Sequence, residues 1–473
     1  MDRRRFLQSL AGAGVAAAQT SRTLNFIFIL ADDWGWTDLG CYGSKSYDTP
    51  NIDRLAAQGM RFTNAYAACP VCSPTRASIM TGRYPARLQL TDWIPGRKQW
   101  PTARLLTPEF RHELPHDEIT LAEALKPAGY VSASIGKWHL GGDGYSPTEQ
   151  GFDRNIGGTS RGSPRTYFGP FDLVGLEGGP EGEELTDRLS LEAEKFIEAN
   201  KDRPFFVYLP EFAVHLPLQG RKDLVAKYEG KLKSGETQSN PVYAAMVESL
   251  DQGVGRLLKK LDELKLADRT VVILMSDNGG LRFEGARPDP ITSNAPLRAG
   301  KGHLYEGGIR EPLIVRWPGV IKAGSTCDEP VISVDYFPTI LEMAGVKKPS
   351  HTIDGVSLMP LLTQKGGLKR DAVYWHYPHY SNQGGPPAGA VRKGDYKLIE
   401  FYEDGRLELF NLKNDIGERQ NLARKEPKKA GELHAMLKRW RQSVQATMPR
   451  MNPSYDAAKA DQGLKGVEPK TLE

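Results

Sequence analysis

The run Leu24-Asn25-Phe26-Ile27-Phe28-Ile29-Leu30 is almost wholly apolar and leads directly into Ala31-Asp32-Asp33-Trp34-Gly35. A nearly unbroken apolar run of this length predicts a central strand that is buried on both faces of a sheet. Two adjacent carboxylates at the end of such a strand are costly to bury unless a cation lies beside them. Ligands of open α/β sheets bind at that same end. The sequence therefore predicts an α/β sheet with a charged site where this strand ends.

Three further apolar strands are predicted at 130–135, 204–209 and 270–276, and each leads into polar side chains. Helical spacing separates the strands, most clearly at 243–264. The polar residues that follow the four strands are Asp32, Asp33, Lys137, His139, His215, Asp277 and Asn278. Because the carboxyl ends of parallel strands meet at one edge of a sheet, we expect these side chains to form one composite site.

The pattern changes from about residue 366 onward. Short strands are predicted at 373–377, 390–392, 396–402 and 407–412, and an amphipathic helix at about 426–445. The Asp404-Gly405 pair predicts a hairpin turn between the last two strands. The residues after 450 are predicted to be poorly ordered. We expect a second, smaller antiparallel sheet with one helix.

The composition is that of an ordinary globular protein of 473 residues, with 39% hydrophobic and 25% charged residues. A net charge of +4 is small for this length and gives no reason to expect nucleic acid as a partner. The four cysteines are Cys41, Cys69, Cys72 and Cys327. If Cys72 is used in chemistry, at most one disulfide remains possible, and a pair of Cys41 with Cys69 stays open.

The first residues have the pattern of an export signal. Arg3-Arg4-Arg5-Phe6-Leu7 is followed by a weakly apolar, alanine-rich run, which predicts a twin-arginine signal peptide over 1–18. No cysteine near its end offers a lipid anchor, and no later apolar run approaches the length of a membrane span. We therefore expect a periplasmic or secreted protein without a membrane anchor.

The most specific motif is Cys72-Ser73-Pro74-Thr75-Arg76, which continues as Ala77-Ser78-Ile79-Met80-Thr81-Gly82-Arg83. Proline restricts its own backbone and that of the preceding residue, so the thiol lies in a rigid turn. A short helix is predicted over 76–81, with Gly82 as its stop. Cys72 would then lie at or just before a helix N-terminus, where backbone N–H groups favour an anion.

This motif resembles the signature of the type I, formylglycine-dependent sulfatases, among them arylsulfatases and bacterial carbohydrate sulfatases. Gly136-Lys137-Trp138-His139 and Gly300-Lys301-Gly302, followed by Tyr305-Glu306-Gly307-Gly308-Ile309-Arg310, resemble further blocks of that family. The resemblance implies an alkaline-phosphatase-like α/β fold, with a large mixed sheet flanked by helices in a catalytic domain over 22–365. It also implies a smaller C-terminal α+β domain over 366–448, with an antiparallel sheet and a helix, and a tail over 449–473.

The resemblance also implies the roles of the site residues. A maturase would oxidise Cys72 to formylglycine, whose hydrate is the nucleophile held by Arg76 and Lys137. His139 would be the base that expels sulfate, Lys301 and His215 would bind sulfate oxygens, and His215 would protonate the leaving alcohol. One Ca²⁺ ion would be bound by Asp32, Asp33, Asp277 and Asn278, whose oxygen atoms suit a hard cation.

The expected substrate is a sulfated carbohydrate. Candidate sugar contacts, chosen by their position in the sequence, are Asp92, Trp93, Arg161, Arg165, His303, His376 and His379. Two alternatives stay open. A phosphodiesterase or phosphonate monoester hydrolase of the same superfamily would need a similar site. A non-catalytic protein that binds sulfated glycans would be expected to lack a nucleophile or a ligand, whereas every such position here is filled.

Overall fold

The computed structural model describes residues 23–233, 237–283 and 290–460. Its strands are β1 (Asn25–Ala31), β2 (Met60–Tyr66), β3 (Leu105–Leu106), β4 (Val131–Ile135), β5 (Arg154–Ile156), β6 (Phe205–Pro210), β7 (Thr270–Ser276), β8 (Arg310–Arg316), β9 (Ser325–Cys327), β10 (Val331–Ile332), β11 (Val373–Tyr377), β12 (Ala388–Lys393), β13 (Tyr396–Phe401), β14 (Leu407–Asn411) and β15 (Arg450–Met451). Its α-helices are α1 (Pro50–Gln58), α2 (Cys72–Thr81), α3 (Pro85–Leu88), α4 (Leu121–Leu125), α5 (Leu185–Ala199), α6 (Lys222–Lys231), α7 (Pro241–Glu263), α8 (Glu306–Ile309), α9 (Tyr336–Met343), α10 (Met359–Leu362) and α11 (Pro427–Ser443).

The large sheet is mixed and contains nine strands. Its order is β10-β2-β8-β7-β1-β6-β4-β5, and β9 also pairs with β2. Strand β8 is antiparallel to β7 and β2, and the remaining pairings are parallel. Strand β1 lies between β6 and β7, and all seven of its residues are buried. The predicted central strand is thus confirmed, and the carboxyl ends of β1, β4, β6 and β7 share one edge of the sheet.

Helices cover both faces of this sheet because successive side chains of a strand point to opposite faces. Ile27 and Ile29 belong to one core with residues of α1, α5 and α7. Phe26 and Phe28 belong to a second core with residues of α2, α4 and α9. These two cores hold the sheet rigidly between helices, and its polar edge is thereby fixed in place.

The C-terminal region forms a four-stranded antiparallel sheet in the order β11-β12-β13-β14, as predicted, and α11 contacts its strands. A buried ion cluster connects this sheet to the large one. Lys397 Nζ lies 2.9 Å from Glu306 Oε1 and 3.0 Å from Glu418 Oε1, with all three side chains inaccessible to solvent. Trp375 Nε1 also donates to the Ala67 carbonyl at 2.8 Å.

Two expectations are corrected, and the open question of a Cys41–Cys69 disulfide is decided. Helix α2 begins at Cys72 rather than at residue 76, because Pro74 lies in the first turn, where a missing N–H costs nothing. Residues 450–460 are ordered, contrary to the prediction, since β15 pairs with β3 and Asn452 Nδ2 donates to the Ala103 carbonyl at 2.7 Å; the rest of the predicted tail lies outside the described residues. All four cysteines, which lie within the described ranges, are free thiols, so Cys41 and Cys69 do not pair.

The predicted signal peptide lies outside the described residues. Within them, we find no helix with the length and apolar character needed to traverse a bilayer.

Candidate active site

The polar residues at the strand ends lie together. One ligand atom from each of Asp32, Asp33, Cys72 and His215 lies within 4.8 Å of the other three. Asp32 and Asp33 follow β1, His215 follows β6, and Cys72 is the first residue of α2. Side chains from three separate elements therefore meet at the carboxyl edge of the large sheet.

Cys72 is held rigidly at the start of α2 and is only 2% exposed. Thr75 Oγ1 donates to the Cys69 carbonyl at 3.0 Å, and the Ile94 N–H donates to Ser73 Oγ at 3.1 Å. Burial raises the pKa of the Cys72 thiol to about 11, although the Lys137 and Lys301 charges oppose that shift. An unmodified Cys72 is thus protonated, and a poor nucleophile, at neutral pH.

Three buried ion pairs surround this thiol. Arg76 donates to Asp277 Oδ2 through Nε at 2.9 Å and Nη2 at 2.7 Å. Lys137 Nζ lies 2.6 Å from Asp32 Oδ2, and Lys301 Nζ lies 2.7 Å from Asp33. Arg76 Nη2 also lies 3.7 Å from Asp32 Oδ2, so Asp32 contacts two of the three cations. Removal of one partner from such a buried cluster leaves charge that is poorly compensated. The six residues therefore support one another in a fixed arrangement.

The predicted metal ligands fit a hard divalent cation. Asp32 Oδ1 and Asn278 Oδ1 are buried oxygens with no hydrogen-bond partner among the described residues. Buried polar atoms are nearly always paired, so two unpaired oxygens in one site point to a missing positive partner. Burial, together with the nearby Asp277 carboxylate, raises the pKa of Asp32 to about 7. A bound Ca²⁺ would offset the free-energy cost of burying the Asp32 charge and would hold this carboxylate ionised.

The two histidines of the site have different hydrogen bonds. His139 Nε2 lies 2.5 Å from the Ile94 carbonyl and therefore carries the proton, whereas the buried Nδ1 has no partner in the described part of the chain. His215 Nδ1 lies 2.9 Å from the Leu216 carbonyl, and its Nε2 lies 3.6 Å from Asp33 Oδ2. Burial and the neighbouring lysines lower the pKa of both imidazoles, to about 3 for His215. Both rings are thus neutral in the free site.

A cavity of about 800 Å³ opens above Cys72. Three of the predicted sugar contacts, Trp93, Arg161 and Arg165, line it. The wall also contains residues that were not predicted, which are Ile94, Pro95, Ser160, Gly162, Ser163, Pro164, Leu216, Leu281, Asn382 and Gln383. Asn382 and Gln383 lie in the turn Ser381-Asn382-Gln383-Gly384, whose composition was the available signal.

The other four predicted sugar contacts do not line the cavity. His376 is buried between Tyr402 Oη, at 2.7 Å, and the Thr447 carbonyl, at 3.0 Å. His379 is buried against Thr91 Oγ1 at 2.8 Å. His303 lies behind the wall, with Nε2 3.1 Å from the Gln383 carbonyl. These three histidines and Asp92 are buried in the protein interior. The structure therefore does not place them where a sugar in the cavity would contact them, contrary to the prediction.

Asp92 is the fourth of these residues and makes a pH-dependent contribution to stability. Its Oδ1 accepts hydrogen bonds from Tyr377 Oη at 3.0 Å and from the Trp93 N–H at 2.9 Å, and burial raises its pKa to about 7. The folded protein therefore keeps this proton at pH values where the unfolded chain, with a pKa near 3.8, has lost it. Asp92 thus favours folding at low pH, and this contribution is lost as the pH rises from about 4 to 7.

We expect Asp92→Asn, which keeps the oxygen acceptor without the charge, to remove this dependence. Relative to the unmodified protein, the variant should gain more stability at pH 8 than at pH 5, and the two gains in the free energy of unfolding should differ by about 3 kcal/mol. Thermal unfolding of both proteins at the two pH values measures the difference. An equal change at both pH values would show that Asp92 is not protonated in the folded protein.

Gly162 leaves no room for a side chain beside His139. A Cβ atom at this position would lie 2.6 Å from His139 Cε1 and 2.9 Å from Nε2. The His139 ring cannot easily move, because its Nε2 is hydrogen-bonded to the Ile94 carbonyl. We expect Gly162→Ala to lower kcat by about 10- to 100-fold through displacement of the ring. The matched control is Gly431→Ala, where nothing lies within 4 Å of the new atom; similar kcat values for the two variants would contradict this role.

Known proteins share both the sequence and the fold described above. A sulfatase family model matches residues 24–346, and a model of the C-terminal part of N-sulphoglucosamine sulphohydrolase matches residues 299–446. The chain is similar to a sulfatase of Formosa agariphila, with 35% identity over an alignment 495 positions long, gaps included, that covers 87% of each chain. It is also similar to N-acetylgalactosamine-6-sulfatase of the dog, Canis lupus familiaris, with 36% identity over 446 residues, 89% of this chain and 80% of the relative.

Among solved structures, the chain is similar to Ps i-CgsB in complex with k-i-k-neocarrahexaose. The TM-score is 0.75 at 29% identity, and the match covers 95% of this chain and 98% of that one. The family model alone covers more than half of the present sequence. The chain belongs to the sulfatase family and is a sulfuric ester hydrolase.

Proposed function

We propose that the chain removes sulfate from a sulfated carbohydrate, using a formylglycine derived from Cys72 and one bound Ca²⁺. The observation that carries this proposal is the position of Cys72. Its thiol lies at the start of α2, within 4.8 Å of ligand atoms of Asp32, Asp33 and His215, at an 800 Å³ cavity. Maturation of Cys72 would supply an aldehyde hydrate, with one hydroxyl to attack sulfur and a second whose deprotonation expels sulfate. The partner required for this step is a formylglycine-generating maturase.

The chain's own residues supply charge and proton transfer. Lys301 and Lys137 lie close enough to favour a negative charge at position 72, and Asp32 and Asp33 hold these cations in place. A sulfate ester is an anion, so its approach needs preorganised positive charge. His139 leaves Nδ1 free to accept a proton. His215 would have to gain a proton on Nε2 to act as the acid, which an anionic substrate would favour.

The carbohydrate part of the proposal is supported by the cavity and by the relatives. An indole from Trp93 lines the wall, together with the polar groups of Ser163, Asn382 and Gln383. An apolar surface with a few polar groups suits a sugar ring. The canine relative is named as a sulfatase for N-acetylgalactosamine-6-sulfate groups, and the similar solved structure contains a neocarrahexaose.

Comparison of two chromogenic substrates tests the reaction class. With maturase-treated protein and Ca²⁺, we expect kcat/KM for 4-nitrophenyl sulfate to exceed that for bis(4-nitrophenyl) phosphate by about 100-fold or more. The reverse preference would favour the phosphodiesterase or phosphonate monoester hydrolase alternative. Binding of sulfated glycans without any turnover would favour the non-catalytic alternative.

We also propose export by the twin-arginine route to the periplasm or the medium. The Arg3-Arg4-Arg5 run and the alanine-rich segment after it support this proposal. Fractionation of cells that express the full chain, with and without Arg3, Arg4 and Arg5 replaced by lysine, tests it. Retention of only the substituted chain in the cytoplasm is the expected result, and equal export of both would contradict it.

A further inference from the structure

The active-site cavity has positive charge at two depths. Lys301, Arg161 and Arg165 are all lining residues of this cavity, and their side chains are 8%, 31% and 77% exposed. The two arginines therefore mark the rim of the cavity, and Lys301 lies deep within it. None of the described residues that line this cavity has a carboxylate side chain. Such a lining favours anions along the whole depth of the cavity.

Among the residues that the structure describes, the rim arginines share one carboxylate. Arg161 Nη1 lies 2.8 Å from Asp172 Oδ2, and Arg165 Nε lies 3.1 Å from the same oxygen. Arg161 Nη2 also donates to the Asp172 backbone carbonyl at 2.9 Å. Within the described part of the chain, two positive charges with one negative partner leave one formal positive charge at the rim. Asp172 is 44% exposed, so its ion pairs with the two arginines are weak. The guanidinium groups of Arg161 and Arg165 can therefore turn to another anion at little cost in free energy.

The loop that carries the two arginines is fixed to both histidines of the site. The His139 N–H donates to the Thr159 carbonyl at 3.0 Å, and Tyr167 Oη donates to the His215 carbonyl at 2.9 Å. Between these anchors, the Gly162 backbone packs against the His139 ring. Arg161 is the neighbour of Gly162, so its backbone is about 4 Å further along the chain. The backbone that carries the two arginines is thus anchored to the histidines of the site, while the guanidinium groups can still turn.

We propose that Arg161 and Arg165 bind a second anionic group of the substrate. The preferred substrate is then a saccharide with at least two anionic groups: the sulfate ester that is cleaved near Cys72 and another sulfate or a carboxylate at the rim. Paired guanidinium groups suit either anion, because their planar forks match two oxygen atoms. The identity of the first group as a sulfate ester rests on the proposed function.

Calorimetric binding to the Cys72→Ala variant, with Ca²⁺ at low salt, tests this specificity without requiring turnover. The probes are three disaccharides that carry one sulfate, two sulfates, or one sulfate and one carboxylate. We expect at least one of the dianionic probes to bind about 10-fold more tightly than the monosulfated one. Arg165→Gln should reduce this ratio to about 2-fold, and Asp172→Asn should increase it, because it removes the competing carboxylate. The dianionic probe that shows the advantage identifies the second group.

Arg439→Gln is the matched control, since it removes the same charge from an exposed position on α11 and should leave the ratio unchanged. The proposal would be overturned if Arg165→Gln lost affinity equally for all three probes, because the ratio of dianionic to monosulfated affinity would then be unchanged. It would also be overturned if the Cys72→Ala protein bound none of the probes. The proposed function can fail independently of the rim site. That would be the case if the Cys72→Ala variant bound the dianionic probe as expected while the matured protein with Cys72 did not hydrolyse sulfate esters.

Discussion

Replacement of Cys72 by alanine is expected to lower kcat for 4-nitrophenyl sulfate by about 10⁴-fold or more, because it removes the atom from which the nucleophile is made. Alanine fills the start of α2 without strain, so the three buried ion pairs around position 72 should persist. Steady-state kinetics of the matured protein and the variant, with circular dichroism to verify folding, measure the effect.

Cys69→Ala is the matched control for this prediction. Cys69 lies three residues earlier, is equally buried, and has its Sγ 3.9 Å from the Thr91 carbonyl rather than in the cavity wall. We expect its removal to change kcat by less than about threefold and to affect mainly stability. A Cys72→Ala variant that retained more than a few per cent of the activity would exclude a nucleophile at this position.

Replacement of Asp277 by alanine is expected to destabilise the protein by about 3 to 5 kcal/mol, because the inaccessible Arg76 guanidinium loses its carboxylate partner. The same change removes a proposed Ca²⁺ ligand. Thermal unfolding with and without added Ca²⁺ separates the two effects. The unmodified protein should be stabilised by Ca²⁺, and the variant should lose most of that stabilisation.

Two companion variants define the outcome for Asp277. Asp277→Asn keeps the shape of the side chain and should fold better than the alanine variant while still losing Ca²⁺ affinity. Glu432→Ala removes a carboxylate whose ion pairs with Lys393 and Lys429 are solvent-exposed, and it should change the unfolding temperature little. An Asp277→Ala protein as stable and as responsive to Ca²⁺ as the unmodified one would contradict both the buried pair and the metal site.

The sequence predicted the fold where local pattern and tertiary environment agree. Strands β1 and β7 are buried on both faces, so their apolar runs identify them and the carboxylates mark their ends. The convergence of Asp32, Asp33 and His215 followed from the general rule for strand ends in α/β sheets, whereas Cys72 was identified by its motif.

Features that depend on contacts between distant parts of the chain could not be predicted from the sequence. The ordered segment after residue 450 depends on a partner strand at Leu105–Leu106, more than 300 positions away, and no local pattern signals it. His376 and His379 are candidates by their position in the sequence, yet their burial against Tyr402 and Thr91 depends on how the C-terminal sheet packs. Arg161 and Arg165 reach the cavity because a loop, rather than a periodic element, carries them there.

The mass of the tryptic peptide that contains Cys72, residues 62–76, tests the central claim most directly. Protein produced together with a formylglycine-generating maturase should yield this peptide about 18 Da lighter than the unmodified sequence, since the thiol becomes an aldehyde. Loss of that mass together with turnover of a sulfate ester is the predicted result. An intact thiol in protein that still hydrolyses sulfate esters would contradict the account, because catalysis would then proceed without formylglycine.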